Sequence, residues 1–107
     1  MPAKIFIRCK RLIDGTGSPA RQDVTLSIDG DRISEIRSGP VQLPPEAQFI
    51  DLSEHTVMPG MTDAHCHVLI EGVDLRAMYL GESSAAKAFR GLMNSQRAMR
   101  AGCTTIS

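Results

Sequence analysis

The chain has 107 residues, and its twelve basic residues are balanced by twelve acidic ones with no basic block. This balance predicts no binding to nucleic acid or to an acidic membrane surface. Three widely spaced cysteines form no paired-thiol pattern, and the first apolar run is too short for a signal peptide or a membrane span, so we expect a cytoplasmic protein.

The first third of the chain has the period of two that is typical of strands. Ile5, Ile7 and Cys9 lie at alternate positions, and the same holds within VTLSI (24–28). The dipeptide Asp29-Gly30 then predicts a tight turn and a returning strand, which makes a hairpin. We further expect FIDL (49–52) to be a short strand and SEH (53–55) a turn, so that residues 1–58 form a small, mostly antiparallel β unit.

The pattern changes after residue 58. MTDAHCHVLI (61–70) is a strand-like apolar run, and CTTIS (103–107) resembles the start of a second strand. Between them, helical spacing predicts a helix from about residue 84 to residue 101, capped by Ser83 or Ser84 and followed by Gly102. A shorter helix around residues 74–80 is a further possibility. The apolar positions of the longer helix are Ala85, Phe89, Leu92, Met93 and Met99.

The order strand, helix, strand is the signature of a parallel βα unit. One such unit cannot cover both faces of its strands. We therefore expect the sequence to be the N-terminal piece of a longer protein.

Asp63, His65 and His67 occupy alternate positions of the run 61–70. In one continuous strand, all three side chains would point to the same face. Two neutral imidazoles on one face can converge on a divalent ion, and zinc is a common choice. A chance pair of strand histidines is the alternative reading, because two ligands do not complete a metal site.

The run TVMPGMTDAHCHV (56–68) resembles the first-strand signature Pro-Gly-x-x-Asp-x-His-x-His of the metal-dependent amidohydrolase superfamily. Two further stretches agree with it in the right order. LIDGTGSP with the SIDGDRISEI hairpin is similar to the opening β-sandwich strands of these enzymes. RAMRAGCTTIS is similar to their second barrel strand. Within the superfamily, imidazolonepropionase-like and Xaa-Pro dipeptidase-like members look nearest.

The resemblance implies an α/β fold class. Residues 1–58 would be the N-terminal part of a β-sandwich, and residues 59–107 the start of a (β/α)₈ barrel with its first βα unit. His65 and His67 would be metal ligands, and Asp63 a supporting residue. The cofactor implied is one or two divalent ions, expected to be zinc, with the remaining ligands beyond residue 107. The full-length protein would hydrolyse a C–N bond of a small-molecule substrate with metal-activated water, and we expect a homo-oligomer.

Other readings stay open at this point. Dihydropyrimidinase-like or deaminase chemistry is the nearest enzymatic alternative, and a non-catalytic or truncated scaffold is the other. Cys66 is a candidate metal ligand, but on a strand it would face away from the histidines. His55 is interpreted as a solvated residue of a polar turn. The run GTGSPA (15–20) mimics a dinucleotide-binding motif, but a strand and not a helix follows it, so we interpret it as a turn. Met78, Met93 and Met99 are interpreted as core residues.

Overall fold

The computed structural model describes residues 4–72, 76 and 80–107. Its contacts divide the chain into two compact units, Met1–Pro59 and Gly60–Ser107. Among the described residues, no helix is long and apolar enough to cross a membrane.

The first unit is a sheet of four strands, which are β1 (Ile5–Leu12), β2 (Arg21–Asp29), β3 (Arg32–Ser38) and β4 (Gln48–Val57). Their order in the sheet is β3-β2-β1-β4. Strands β1 and β2 are antiparallel, as are β2 and β3, whereas β4 pairs in parallel with β1. The unit is thus mostly antiparallel, as the sequence predicts.

The hairpin between β2 and β3 is confirmed, with a turn that differs by one residue from the predicted one. Asp29 pairs with Arg32, so Gly30 and Asp31 form the two-residue loop. Positive φ is found at Gly30 (61°) but at neither neighbouring aspartate. A single left-handed glycine at the first loop position is typical of a type II′ turn, which matches the twist of paired strands.

Strand β4 corrects the prediction for residues 49–57. The sequence predicts a four-residue strand followed by a turn at 53–55, but the strand continues to Val57. His55 therefore lies in a strand, where its side chain is exposed. The reason is non-local, since the second half of β4 pairs with the end of β1 after a register shift between Cys9 and Arg11.

The core of the first unit consists of apolar residues from β1 and β2. Cys9 and Val24 are fully buried, and Leu12 and Leu26 nearly so. Residues three apart on a regular strand face opposite sides. Leu12 nevertheless belongs to the same core as Cys9, which strict alternation does not predict. Burial raises the pKa of the Cys9 thiol and makes it a structural residue.

The segment between β1 and β2 is a turn, as predicted. Asp14 Oδ1 accepts hydrogen bonds from the Thr16 amide at 3.0 Å and from its hydroxyl at 2.7 Å. These two bonds lower the pKa of Asp14. Strand β2 follows at Arg21, so no helix N-terminus is present to hold a pyrophosphate.

In its described residues, the second unit has two parallel strands, β5 (Met61–Asp63) and β6 (Cys103–Ile106), with a helix between them in sequence. This helix, α1 (Ser84–Arg100), begins as predicted, because the Ser83 side chain caps it by accepting from the Ala86 amide. After α1, Gly102 takes a φ of 99°. The shorter helix considered around residues 74–80, with Met78, lies largely outside the described residues.

The apolar side of α1 corrects another prediction. Phe89 is 69% exposed, and Leu92, Met93 and Met99 are each more than half exposed. The prediction that Met93 and Met99 pack in a core is therefore wrong within the described part of the chain. Helical periodicity identifies an apolar face, but it does not say whether another part of the same chain covers that face.

Candidate metal-binding site

The two histidines follow the C-terminal end of β5 and do not lie within it. The strand ends at Asp63, whose Oδ1 accepts a hydrogen bond from the His65 amide at 3.1 Å. This bond turns the chain, as aspartates often do when they bond the backbone two residues on. A single strand over residues 61–70 is thus a wrong prediction, because the side chain of Asp63 competes with the strand ladder.

Backbone pairing with the end of β6 holds the turn in place. The Ser107 amide donates to the Asp63 carbonyl at 3.0 Å, and the Cys66 amide donates to the Ser107 carbonyl at 2.8 Å. One residue at the end of the chain thus pairs with both sides of the turn that carries His65. The two parallel strands of the second unit therefore position this segment directly.

The imidazole rings of His65 and His67 meet at their Nε2 atoms, which lie 2.9 Å apart. The rings are nearly perpendicular, at 84°, with centroids 4.6 Å apart. In a hydrogen bond between these atoms, the donating ring is protonated on Nε2, and the accepting ring is neutral and protonated on Nδ1. Both residues are exposed.

This arrangement suits two ligands of one divalent ion. Zinc–nitrogen bonds of about 2.0–2.1 Å in a tetrahedral site place two ligand nitrogens about 3.3 Å apart. The observed 2.9 Å is within a small side-chain adjustment of that separation. Across residues 4–72, 76 and 80–107, however, no group of three or more His, Cys, Asp or Glu side chains could hold a metal ion. The described residues therefore supply part of a site, and the assignment of His65 and His67 as ligands stays a prediction.

Asp63 and Cys66, which are close to the two histidines in sequence, are in different environments. The Oδ1 of Asp63 is engaged by the backbone of its own turn. Cys66 is half-buried and, like Cys9 and Cys103, is a free thiol. A cavity of about 210 Å³ opens beside His67, lined by Cys66, His67, Val68, Leu69 and Ile70.

Polar side chains of α1 contact the segment that follows His67, and the sequence analysis did not identify these side chains. Asn94 Nδ2 donates to the Val68 carbonyl at 2.9 Å, and Arg90 Nη1 donates to the Leu69 carbonyl at 3.3 Å. Arg97 Nη1 lies 3.4 Å from Glu71 Oε1. These helix positions follow the spacing i, i+4, i+7, which places them on one face. A polar stripe with this spacing, interrupting an apolar helix, is the signal that could have identified them.

Gly91 explains how closely α1 approaches this segment. It is the buried residue of the helix, and a Cβ there would lie 2.8 Å from Leu69 Cδ2. A glycine makes the helix less stable than an alanine would, but it leaves room for the Leu69 side chain.

Glu82 pairs with Arg90 at the start of the helix, and both side chains are largely shielded from solvent. The hydrogen bond from Arg90 lowers the pKa of Glu82 and raises that of Arg90. The other carboxylate oxygen of Glu82, Oε2, is buried and has no hydrogen-bond partner among the described residues. Arg90 thus contacts Glu82 through Nη2 and the Leu69 carbonyl through Nη1.

Comparison with known proteins shows that the chain is similar in structure to hydrolases. No family model matches the chain, and no curated protein does. Solved structures do match, each over 97% of this chain. They include a Xaa-Pro dipeptidase with bound methionine in its active site (28% identity, TM-score 0.86) and a prolidase complexed with N-methylphosphonate-L-proline (30%, 0.84). An amidohydrolase at 24% identity and a TM-score of 0.83 shows the same fold.

The chain spans only about a quarter of the length of these proteins, between 25% and 26%. Its mixed α/β structure matches their N-terminal portion. The similarities confirm the predicted resemblance to the amidohydrolase superfamily and the α/β fold class.

Proposed function

We propose that the protein containing this chain, which has the fold of the N-terminal portion of amidohydrolase-superfamily enzymes, is a metal-dependent hydrolase of C–N bonds. The observation that carries the proposal is the meeting of two imidazole Nε2 atoms at the C-terminal end of a parallel strand. In (β/α)₈ barrels, catalytic groups lie at that end of the strands. We therefore also propose that residues 59–107 open such a barrel and that residues 1–58 contribute to a β-sandwich.

Dipeptides with a C-terminal proline are the substrates we propose first. Two of the similar structures, at 28% and 30% identity, are a Xaa-Pro dipeptidase and a prolidase. Substrate-binding groups outside this chain would decide between a dipeptide and a cyclic amide.

The residues of the chain would contribute to the reaction by holding and orienting the ion. A divalent ion supplies Lewis acidity, which polarises a carbonyl and lowers the pKa of a bound water toward about 7. His65 and His67 would each have to present an unprotonated Nε2. The ring that donates its Nε2–H in the present structure would therefore change to the Nδ1–H tautomer, so that ion binding competes with the hydrogen bond between the rings. Asp63 would hold the turn on which His65 lies.

Hydrolysis assays on the whole protein test the proposal. Zinc-loaded protein is supplied with Xaa-Pro dipeptides and, separately, with a cyclic amide. We expect release of proline, and we expect His65→Ala and His67→Ala to abolish it. His55→Ala is the matched control, because His55 is an exposed histidine on β4 in the other unit. Absence of any C–N bond hydrolysis by the metal-loaded protein would contradict the proposal.

A further inference from the structure

A backbone hydrogen bond closes the turn that begins at His67, and a side chain of α1 donates a hydrogen bond to this turn. The Ile70 amide donates to the His67 carbonyl at 3.1 Å. Asn94 Nδ2 donates to the Val68 carbonyl at 2.9 Å and lies 3.5 Å from the Ile70 carbonyl. One amide group therefore reaches two carbonyls of the turn, and the first of them follows His67 directly.

The orientation of the Asn94 amide is determined by its partners. Its Oδ1 accepts a hydrogen bond from Arg97 Nη1 at 3.0 Å. A guanidinium can only donate and a carbonyl can only accept, so Nδ2 must face the turn. Asn94 is half-buried, and Arg90 beside it is only 15% exposed. The contact is thus made from a regular helix by a side chain with one allowed orientation.

We propose that Asn94 is a positioning residue for His67: by fixing the turn 67–70 it holds the His67 imidazole against that of His65. The residue itself touches neither imidazole in the described hydrogen bonds and acts through the backbone. The metal-binding consequence rests on the proposed function, whereas the effect on the imidazole pair does not.

The test compares Asn94→Asp with the wild-type protein. Aspartate keeps the size of asparagine and the acceptor that faces Arg97, but it replaces the donor toward Val68 with a second acceptor. Gln96→Glu is the matched control, because it makes the same amide-to-carboxylate change at an exposed position of the same helix. Asn94→Ala removes the donor without adding charge and favours the helix, so it serves if the aspartate variant fails to fold.

The first measurement is the imidazole ¹⁵N spectrum of metal-free protein at about pH 8.5, well above the ordinary histidine pKa. In the wild type, His65 and His67 should show unlike tautomers, because one Nε2 donates to the other. In the Asn94 variants we expect both rings to shift toward the same mixture of tautomers. The signals of His55 and the spectrum of Gln96→Glu should stay unchanged.

The second measurement is zinc affinity. We expect the Kd to rise about 10-fold to 100-fold in the Asn94 variants, the range found when groups that orient metal ligands are removed. If zinc does not bind the wild type at these histidines, the proposed function fails, and the tautomers alone decide the role of Asn94. Wild-type-like tautomers in a folded Asn94→Asp protein would overturn the inference. Like tautomers in the wild type, or loss of fold in both Asn94 variants, would also count against it.

Discussion

A methyl group added at Gly60 should separate the two strands that carry the candidate site. Gly60 directly precedes β5, and a Cβ there would lie 2.1 Å from Thr104 Oγ1, 2.3 Å from Cγ2 and 2.7 Å from Cβ. Rotation of Thr104 can move the first two atoms but not its Cβ. Restoring an ordinary contact of 3.4 Å from 2.7 Å requires the backbones to move apart by roughly 0.7 Å. Overpacking of this kind costs about 1–3 kcal/mol.

Hydrogen exchange of the backbone amides that join the two strands measures this cost in free energy. The Met61 amide donates to the Gly102 carbonyl, and the Ser107 amide donates to the Asp63 carbonyl. In Gly60→Ala, we expect exchange of both amides to accelerate about 5-fold to 150-fold, since about 1.4 kcal/mol corresponds to a factor of ten. Gly81→Ala is the control, because no atom of the described residues lies within 4 Å of its Cβ position. Equal protection in Gly60→Ala and the wild type would refute the reasoning.

Three further predictions concern stability. Ser83→Ala removes the cap of α1 and should lower the free energy of unfolding by about 1 kcal/mol in urea titrations; an unchanged midpoint would contradict the capping role. The hydrogen bond from Arg90 lowers the pKa of Glu82. The pair therefore stabilises the fold fully above pH 4.5, the ordinary glutamate pKa, and progressively less as the pH falls through the lowered pKa of Glu82. We expect Glu82→Gln to flatten the pH dependence of stability below pH 4.5, and parallel curves for variant and wild type would contradict this. Asp23 has a φ of 47° and also pairs with Arg8. Asp23→Ala and Asp23→Gly both remove that ion pair, and the alanine variant should be less stable by about 1 kcal/mol because alanine is strained at this φ; equal urea midpoints for the two variants would refute the strain argument.

Elements with local determinants could be predicted from the sequence. The β2–β3 hairpin is specified by the alternation of residues 24–28 and by Gly30, which takes the left-handed conformation. Helix α1 is specified by its periodicity and by Ser83, whose hydroxyl reaches an amide three residues on. Both signals lie within a few residues of the structure that they determine.

Elements that depend on distant partners could not be predicted. The second half of β4 forms because it pairs with β1, more than forty residues away in sequence. Asn94 could be placed on a helix, but the carbonyl of Val68 that it binds has no signature in the sequence. The end of β5 is not predicted by alternation, which favours a continuous strand, because the side chain of Asp63 accepts a hydrogen bond from the His65 backbone. The spacing His-x-His predicts that the two imidazoles come together, and they do, although a turn and not a strand brings them together.

Metal stoichiometry tests the central claim most directly. The whole protein, stripped of metal and then dialysed against zinc, should retain at least one ion for each chain. His65→Ala and His67→Ala should each lower that content, and His55→Ala should leave it unchanged. Wild-type zinc content in both His65→Ala and His67→Ala would show that the two imidazoles, although 2.9 Å apart, are not metal ligands.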